Sequence, residues 1–302
     1  MLRPRLRIPR PSRLWRPAIS RSIHHVPTLD HFNPNEGVPG LLSSGGFDIA
    51  WTQYMEFVIE RLNALTADTE FDSLDPLPIL KATAREPHHA PIFNYASMAH
   101  NNALFFGNLA NLNTETQQEN GSTEEDEGEG RIPPLLKNEL EREFSSIETL
   151  RREFLATAMG MFGPGFVWLV KNAQTVELRI LTTYLAGTPY TAGHWRRQGV
   201  DMNTQGRGSR DTVQGWLQRT QTGAGADTGS RFVPQNQTAP GGTDVIPLLC
   251  LNTWEHVWLR DYGIGVGGGG GKRQYVQNWW RCIDWNKVEN LAKIQKVPFK
   301  ET

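Results

Sequence analysis

The sequence predicts an α+β protein, with an N-terminal helical hairpin domain followed by an α/β domain that carries a small antiparallel sheet. Three observations predict it. Apolar residues recur at helical spacing through the first half of the chain, strand-like runs rich in β-branched and aromatic residues begin only after residue 163, and an aromatic-rich helical segment follows them.

In chain order, the first helix is predicted over Phe47 to Leu65, where Ile49, Trp51, Tyr54, Phe57, Val58, Leu62 and Leu65 fall at helical intervals. A second is predicted over Asn94 to Leu112, apolar at Met98, Leu104, Phe105, Leu109 and Leu112. Helices resume over Pro134 to Phe144 and over Ile147 to Met161, the latter with Ser145 or Ser146 as N-cap. The stretch from Gly163 to Tyr184 then reads as two strands joined by a turn at Lys171 to Gln174, and Val245 to Leu251 as a third strand. Five glycines, Gly267 to Gly271, precede a helical segment from Tyr275 to Trp285. The domains predicted are 26–112 and 134–302.

Composition narrows the class. With 302 residues and 38% apolar residues the chain builds one large or two small domains, and 29 further glycines keep it within the ordinary globular range. The longest apolar run, Val245 to Leu251, is far too short to cross a bilayer, so no membrane partner is expected. Two cysteines, Cys250 and Cys282, sit in apolar surroundings and are read as buried inert thiols.

Charge is distributed unevenly. Residues 1–25 hold seven arginines and no acid, the pattern of a mitochondrial presequence; a basic arm that binds nucleic acid is the other reading. Without those arginines 24 basic residues face 32 acidic ones, a net charge of −8, which disfavours generic nucleic-acid binding. Residues 113–133 form an acidic loop, with seven acids and no hydrophobic residue from Glu115 to Glu129, expected to be solvated and disordered. The stretch 185–243 is too polar for a core and too long for an ordinary connection, so it reads as an insertion that orders on a partner. Its arginines, among them Arg196, Arg197, Arg207 and Arg210, outnumber its acids, and Trp195 and Trp216 are available to stack on bases or fill a protein groove.

Several segments together resemble the iron/manganese superoxide dismutase family. Phe162 to Val170 (FGPGFVWLV) resembles its F-G-S-G-W-x-W-L-V strand. PLLCLNTWEHVWLRDY, from Pro247 to Tyr262, resembles P-L-L-x-x-D-V-W-E-H-A-Y-Y-L-D-Y, and YVQNWWRCIDW, from Tyr275 to Trp285, resembles Y-x-x-x-F-W-x-x-x-N-W. NNALFFGNL, from Asn101 to Leu109, resembles N-H-S-L-F-W-x-N-L. The resemblance implies the dismutase fold and a redox metal held by three histidines and one aspartate.

Position by position, those ligands are largely absent. The matching residues are Ala50, Asn102, Asn252 and His256, so a single imidazole remains. The resemblance also implies a tyrosine behind the metal ligands, which falls on Val58, and the glutamine of the manganese forms, which falls on Ala186. One imidazole and two neutral amides do not make the site this chemistry requires, so no metal cofactor is expected. His100, two residues from Asn102, faces the other side of its helix, and His256 is expected to be a hydrogen-bonded core histidine. The resemblance also implies that Glu255, beside His256, crosses a dimer interface to the other subunit's histidine.

A presequence, a dismutase fold without its ligands and added polar insertions resemble the dismutase-like proteins of the small subunit of the fungal mitochondrial ribosome. The function implied is a non-enzymatic structural role in the mitochondrial matrix, with ribosomal proteins as partners, a dismutase-like paralogue as pairing partner at Glu255 and His256, and rRNA or protein contacts through the insertion. An active mitochondrial manganese or iron superoxide dismutase is the alternative, and a binding module or assembly factor on the same fold a third.

Overall fold

The computed structural model describes residues 24–84, 86–112, 131–190 and 244–293. The first predicted helix is one helical rod with a widened middle. Helix α1 (Ser44–Phe47) is capped by Ser43, whose hydroxyl accepts from the Gly46 amide at 3.0 Å, and leads through a π-helical stretch, Asp48–Gln53, into α2 (Tyr54–Thr66). Such widened turns are uncommon and gather at functional positions. Here the stretch contains Ala50.

Helix α3 (Pro76–Thr83) is not visible in the sequence as an amphipathic repeat; Pro76 fits its first turn because that turn needs no backbone donor. Helix α4 (Ala90–Gly107) starts four residues before the predicted helix, with Pro91 in its first turn, and ends five residues earlier. Beyond it, the Asn108 side chain donates to the Leu248 carbonyl at 2.9 Å and Leu109 bridges to Ile283. These tertiary bonds divert the chain from the helix axis. Helices α5 (Pro134–Phe144) and α6 (Ile147–Gly160) lie where predicted, and Ser146 is the cap, accepting from the Thr149 amide at 3.0 Å.

Strands β1 (Gly165–Asn172), β2 (Leu178–Tyr184) and β3 (Val245–Asn252) form one antiparallel sheet in the order β2-β1-β3. The central strand is buried on both faces from Phe166 to Val170, which explains its unbroken apolar run. Pro247 is tolerated because β3 lies at the sheet edge. The β1–β2 turn comes slightly later than predicted: Asn172 closes it by accepting from the amides of Gln174 and Thr175.

Helix α7 (Glu255–Tyr262) is followed by the glycine run. Gly271 there has φ +65°, and an added Cβ would lie 2.8 Å from the Ile264 carbonyl. The segment predicted as one helix is two, α8 (Gly271–Arg281) and α9 (Trp285–Ala292). Asp284 separates them by capping α9 through the Lys287 amide, while the Cys282 carbonyl accepts from the Ala110 amide.

The main core runs from α1 and α4 through the sheet to α8 and α9, so it crosses the predicted domain boundary. Its centre is aromatic: Trp168, Trp279, Trp280 and Trp285 are all buried, and Phe154 stacks on Trp279 with ring centroids 5.1 Å apart. Each such ring removes a large apolar area from water, which favours keeping them for the fold alone. A smaller cluster, including Leu62, Phe71, Ile79 and Phe93, joins α2, α3 and α4. No helix among the described residues is long and apolar enough to cross a membrane.

Described residues fall inside three of the segments expected to lie outside the core. His24 and His25, read as the end of the presequence, belong to the described fold, and His24 is held by Asn63: its amide donates to Asn63 Oδ1 at 2.9 Å and its carbonyl accepts from Asn63 Nδ2 at 3.0 Å. Residues 185–190, expected to open the polar insertion, meet α4: the Ala186 and Gly187 carbonyls accept from Ser97 and Asn101. Ile132, within the expected acidic loop 113–133, is buried in the core.

Candidate functional site: the predicted ligand positions and the α7 surface

Ala50 on the π-helical stretch, Asn102 on α4 and Asn252 at the end of β3 are each completely buried. The structure brings these three predicted positions together through side-chain amides. Asn102 Nδ2 donates to the Ala50 carbonyl at 3.2 Å, and Asn102 Oδ1 accepts from Asn252 Nδ2 at 3.1 Å. Asn252 Oδ1 in turn accepts from the Trp254 amide at 2.9 Å, and its backbone carbonyl accepts from the Tyr275 hydroxyl at 2.8 Å. Both amide oxygens are thereby used within the protein.

His256, in the first turn of α7, differs from the hydrogen-bonded core histidine expected. Its Nε2 is buried without a hydrogen-bond partner among the described residues, and its ring stacks on Tyr54, centroids 4.0 Å apart and planes 20° apart. Burial pushes its pKa down to about 4, so the ring is neutral at physiological pH. Tyr54 is the residue that the sequence reading missed. Its spacing of four from Ala50, one helical turn, places both on one face and was the available signal.

These residues do not fit iron or manganese. Ala50 offers no side-chain donor, the two amide oxygens already accept hydrogen bonds, and one imidazole alone does not hold a hard divalent cation. No group of three or more His, Cys, Asp or Glu side chains placed to hold a metal occurs among the described residues. Val58, expected from the resemblance to match the family's tyrosine, is a buried packing residue of α2, and Ala186 contributes its carbonyl to Ser97 at 2.6 Å.

His100 points away from Asn102, as its 200° rotation around the helix requires. Its Nε2 pairs with the Tyr190 hydroxyl at 2.7 Å, and the Lys81 ammonium lies 4.9 Å from the Tyr190 ring centroid. Burial, with a smaller contribution from Lys81, lowers His100 to about 4. The two cysteines match their reading as inert thiols: both are buried, and burial pushes Cys250 well up and Cys282 to about 12.

Glu255 is exposed at the start of α7. Its charge acts on Lys272, opposing the lowering of that ammonium by burial, and Lys272 Nζ donates to the Met161 carbonyl at 3.0 Å. The next residue, Phe162, is 96% exposed. Trp195, Arg196, Arg197, Arg207, Arg210 and Trp216, predicted as partner or rRNA contacts, lie outside the described residues, as do residues 1–23 and the acidic stretch 113–130.

Comparison with known proteins agrees with the geometry. The family model "Iron/manganese superoxide dismutases, C-terminal domain" matches residues 133–202 and 200–291. Small ribosomal subunit protein mS43 of Schizosaccharomyces pombe is 26% identical over 266 residues, covering 88% of this chain and 83% of its own length. Protein mS42 of the same organism is 25% identical over 222 residues, covering 74% and 76%. The iron superoxide dismutase of Campylobacter jejuni is 30% identical over 260 residues, covering 86% and 85%. With a three-stranded antiparallel sheet behind packed helices, and a family model that spans more than half of its length, the chain belongs to the iron/manganese superoxide dismutase family.

Proposed function

We propose that the chain is a non-enzymatic structural component of the mitochondrial small ribosomal subunit, built on a dismutase fold. The observation that carries this reading is the state of the four ligand positions: alanine and two mutually bonded asparagines stand where ligands are needed, beside one neutral, stacked histidine. Relatives named as small ribosomal subunit proteins support the ribosomal assignment. The arginine-rich, acid-free first 23 residues support delivery to the mitochondrial matrix. Fold alone does not choose between enzyme and scaffold, because activity resides in the site.

Pairing with a dismutase-like paralogue is the second part of the proposal, with Glu255, His256 and the neighbouring Phe162 as its surface. Burying that exposed ring against a partner would remove its apolar area from water. A carboxylate hydrogen-bonded across a water-excluded interface is worth roughly 1.5–3 kcal/mol, against almost nothing for an unpartnered surface glutamate. The insertion after Tyr190, with its excess of arginines, is assigned to contact rRNA or a neighbouring protein.

Sedimentation of tagged protein from mitochondrial lysate tests the assignment. Comigration with the small subunit, with no dismutase activity after manganese or iron loading, is the expected result. A free dimer with metal-dependent turnover abolished by His256→Ala would establish the enzymatic alternative instead. For pairing, Glu255→Ala should reduce recovery of the paralogue tenfold or more at matched expression, and undiminished recovery would reduce the W-E-H segment to an inherited packing motif.

A further inference from the structure

We infer that the amide line through Asn102 and Asn252 has taken over the joining of the N-terminal helices to the sheet at these positions, so that the fold is closed by hydrogen bonds and gains no stability from a metal. The line connects elements that are distant in sequence. Ala50 and Asn102 are 52 residues apart, and Asn102 and Asn252 are 150 apart. Through the Asn252 carbonyl it also reaches Tyr275 of α8, so a helical stretch, a helix, a strand end and a further helix meet at one buried set of bonds.

The direction of the line is fixed by its ends. At one end the Ala50 carbonyl only accepts, and at the other the Trp254 amide only donates. Each side-chain amide between them must therefore present its NH₂ toward Ala50 and its oxygen toward Trp254. Two successive asparagines satisfy this polarity without a charge, and a carboxylate does not. An aspartate at 252, the family's own ligand, would set an oxygen against Asn102 Oδ1 and bury an anion. Conversely, a metal at these positions would need the two amide oxygens, both of which are engaged. The inference stands on this geometry and holds whether or not the chain is ribosomal.

Urea unfolding of the purified chain, followed by tryptophan fluorescence at pH 7.5, tests it. The wild-type midpoint should be the same in EDTA and in excess Mn(II) or Fe(II). Asn252→Asp, which replaces a donor by an anion, should raise the unfolding constant at least tenfold, with no recovery on adding metal. In a cycle of Asn102→Ala, Asn252→Ala and the double variant, the double variant should be less destabilised than the sum of the singles. A metal-raised midpoint in wild type or in Asn252→Asp would overturn the inference, as would wild-type stability of Asn252→Asp or additive single variants. Should Asn252→Asp not fold, the wild-type comparison and the alanine cycle still decide.

Discussion

Replacing Tyr190 by phenylalanine removes one oxygen atom and probes the contact that ties the root of the polar insertion to α4. In the native fold that oxygen lies 2.7 Å from His100 Nε2, and the ring packs beside the smaller core cluster under the Lys81 ammonium. Phenylalanine keeps the ring and its contact with Lys81. What is lost is a hydrogen bond to a neutral imidazole whose pKa, lowered to about 4, keeps it from gaining a proton in compensation. A buried polar atom left unpaired costs about 1–3 kcal/mol, and the loss of one phenolic hydroxyl from burial returns a few tenths. The net expectation is about 1–2 kcal/mol, a roughly 5- to 30-fold larger unfolding constant at 25 °C. Urea unfolding of the full chain measures it. The double variant His100→Phe with Tyr190→Phe should be less destabilised than the two single losses added together, because neither polar group is then stranded. A Tyr190→Phe midpoint within error of wild type would refute the argument that the pair is shielded from water.

Two further outcomes follow from burial. His100 and His256 are both lowered to about 4 from the ordinary 6.5, so on acidification the unfolded chain binds protons first; stability is complete above about pH 6.5 and is lost as pH falls toward 4. Each ring contributes up to about 3 kcal/mol to this loss, and a urea midpoint that is flat between pH 7.5 and 5 would contradict it. Trp280→Ala opens a cavity in a fully buried stack and should cost about 3–5 kcal/mol, whereas Trp254→Ala, at a half-buried helix cap, should cost less; equal losses in calorimetry would show that burial does not set the difference.

Much of the fold was legible because its signals are local. The helical spacing of Trp51, Val58 and Leu62, the strand-like run of β1 and the serine cap of α6 each follow from a neighbourhood of a few residues, whereas Phe57 and Leu65, read on the same apolar face, are 45% and 38% exposed. Features that failed to appear depend on distant partners. Helix α3 is eight residues long and is stabilised by packing on α4 and α2, so its own pattern is weak. The break between α8 and α9 combines a local signal that the reading passed over, Asp284 as the cap of α9, with the bridge from Leu109 to Ile283, which no property of the Tyr275 to Trp285 segment announces.

The sequence by itself determined the family and the order of the main helices and strands, since these rest on residue identity and spacing, and Ala50 carries no side-chain donor in any fold. Tertiary structure alone decided how the predicted positions are used. That Asn102 and Asn252 spend their amides on each other, that His256 lies neutral against Tyr54, and that His100 turns to Tyr190 are relations between residues far apart in the chain. The physical reason is that a buried polar group must find its partner wherever folding brings one, and the hydrogen bond then formed has a direction and a length that spacing along the chain does not encode.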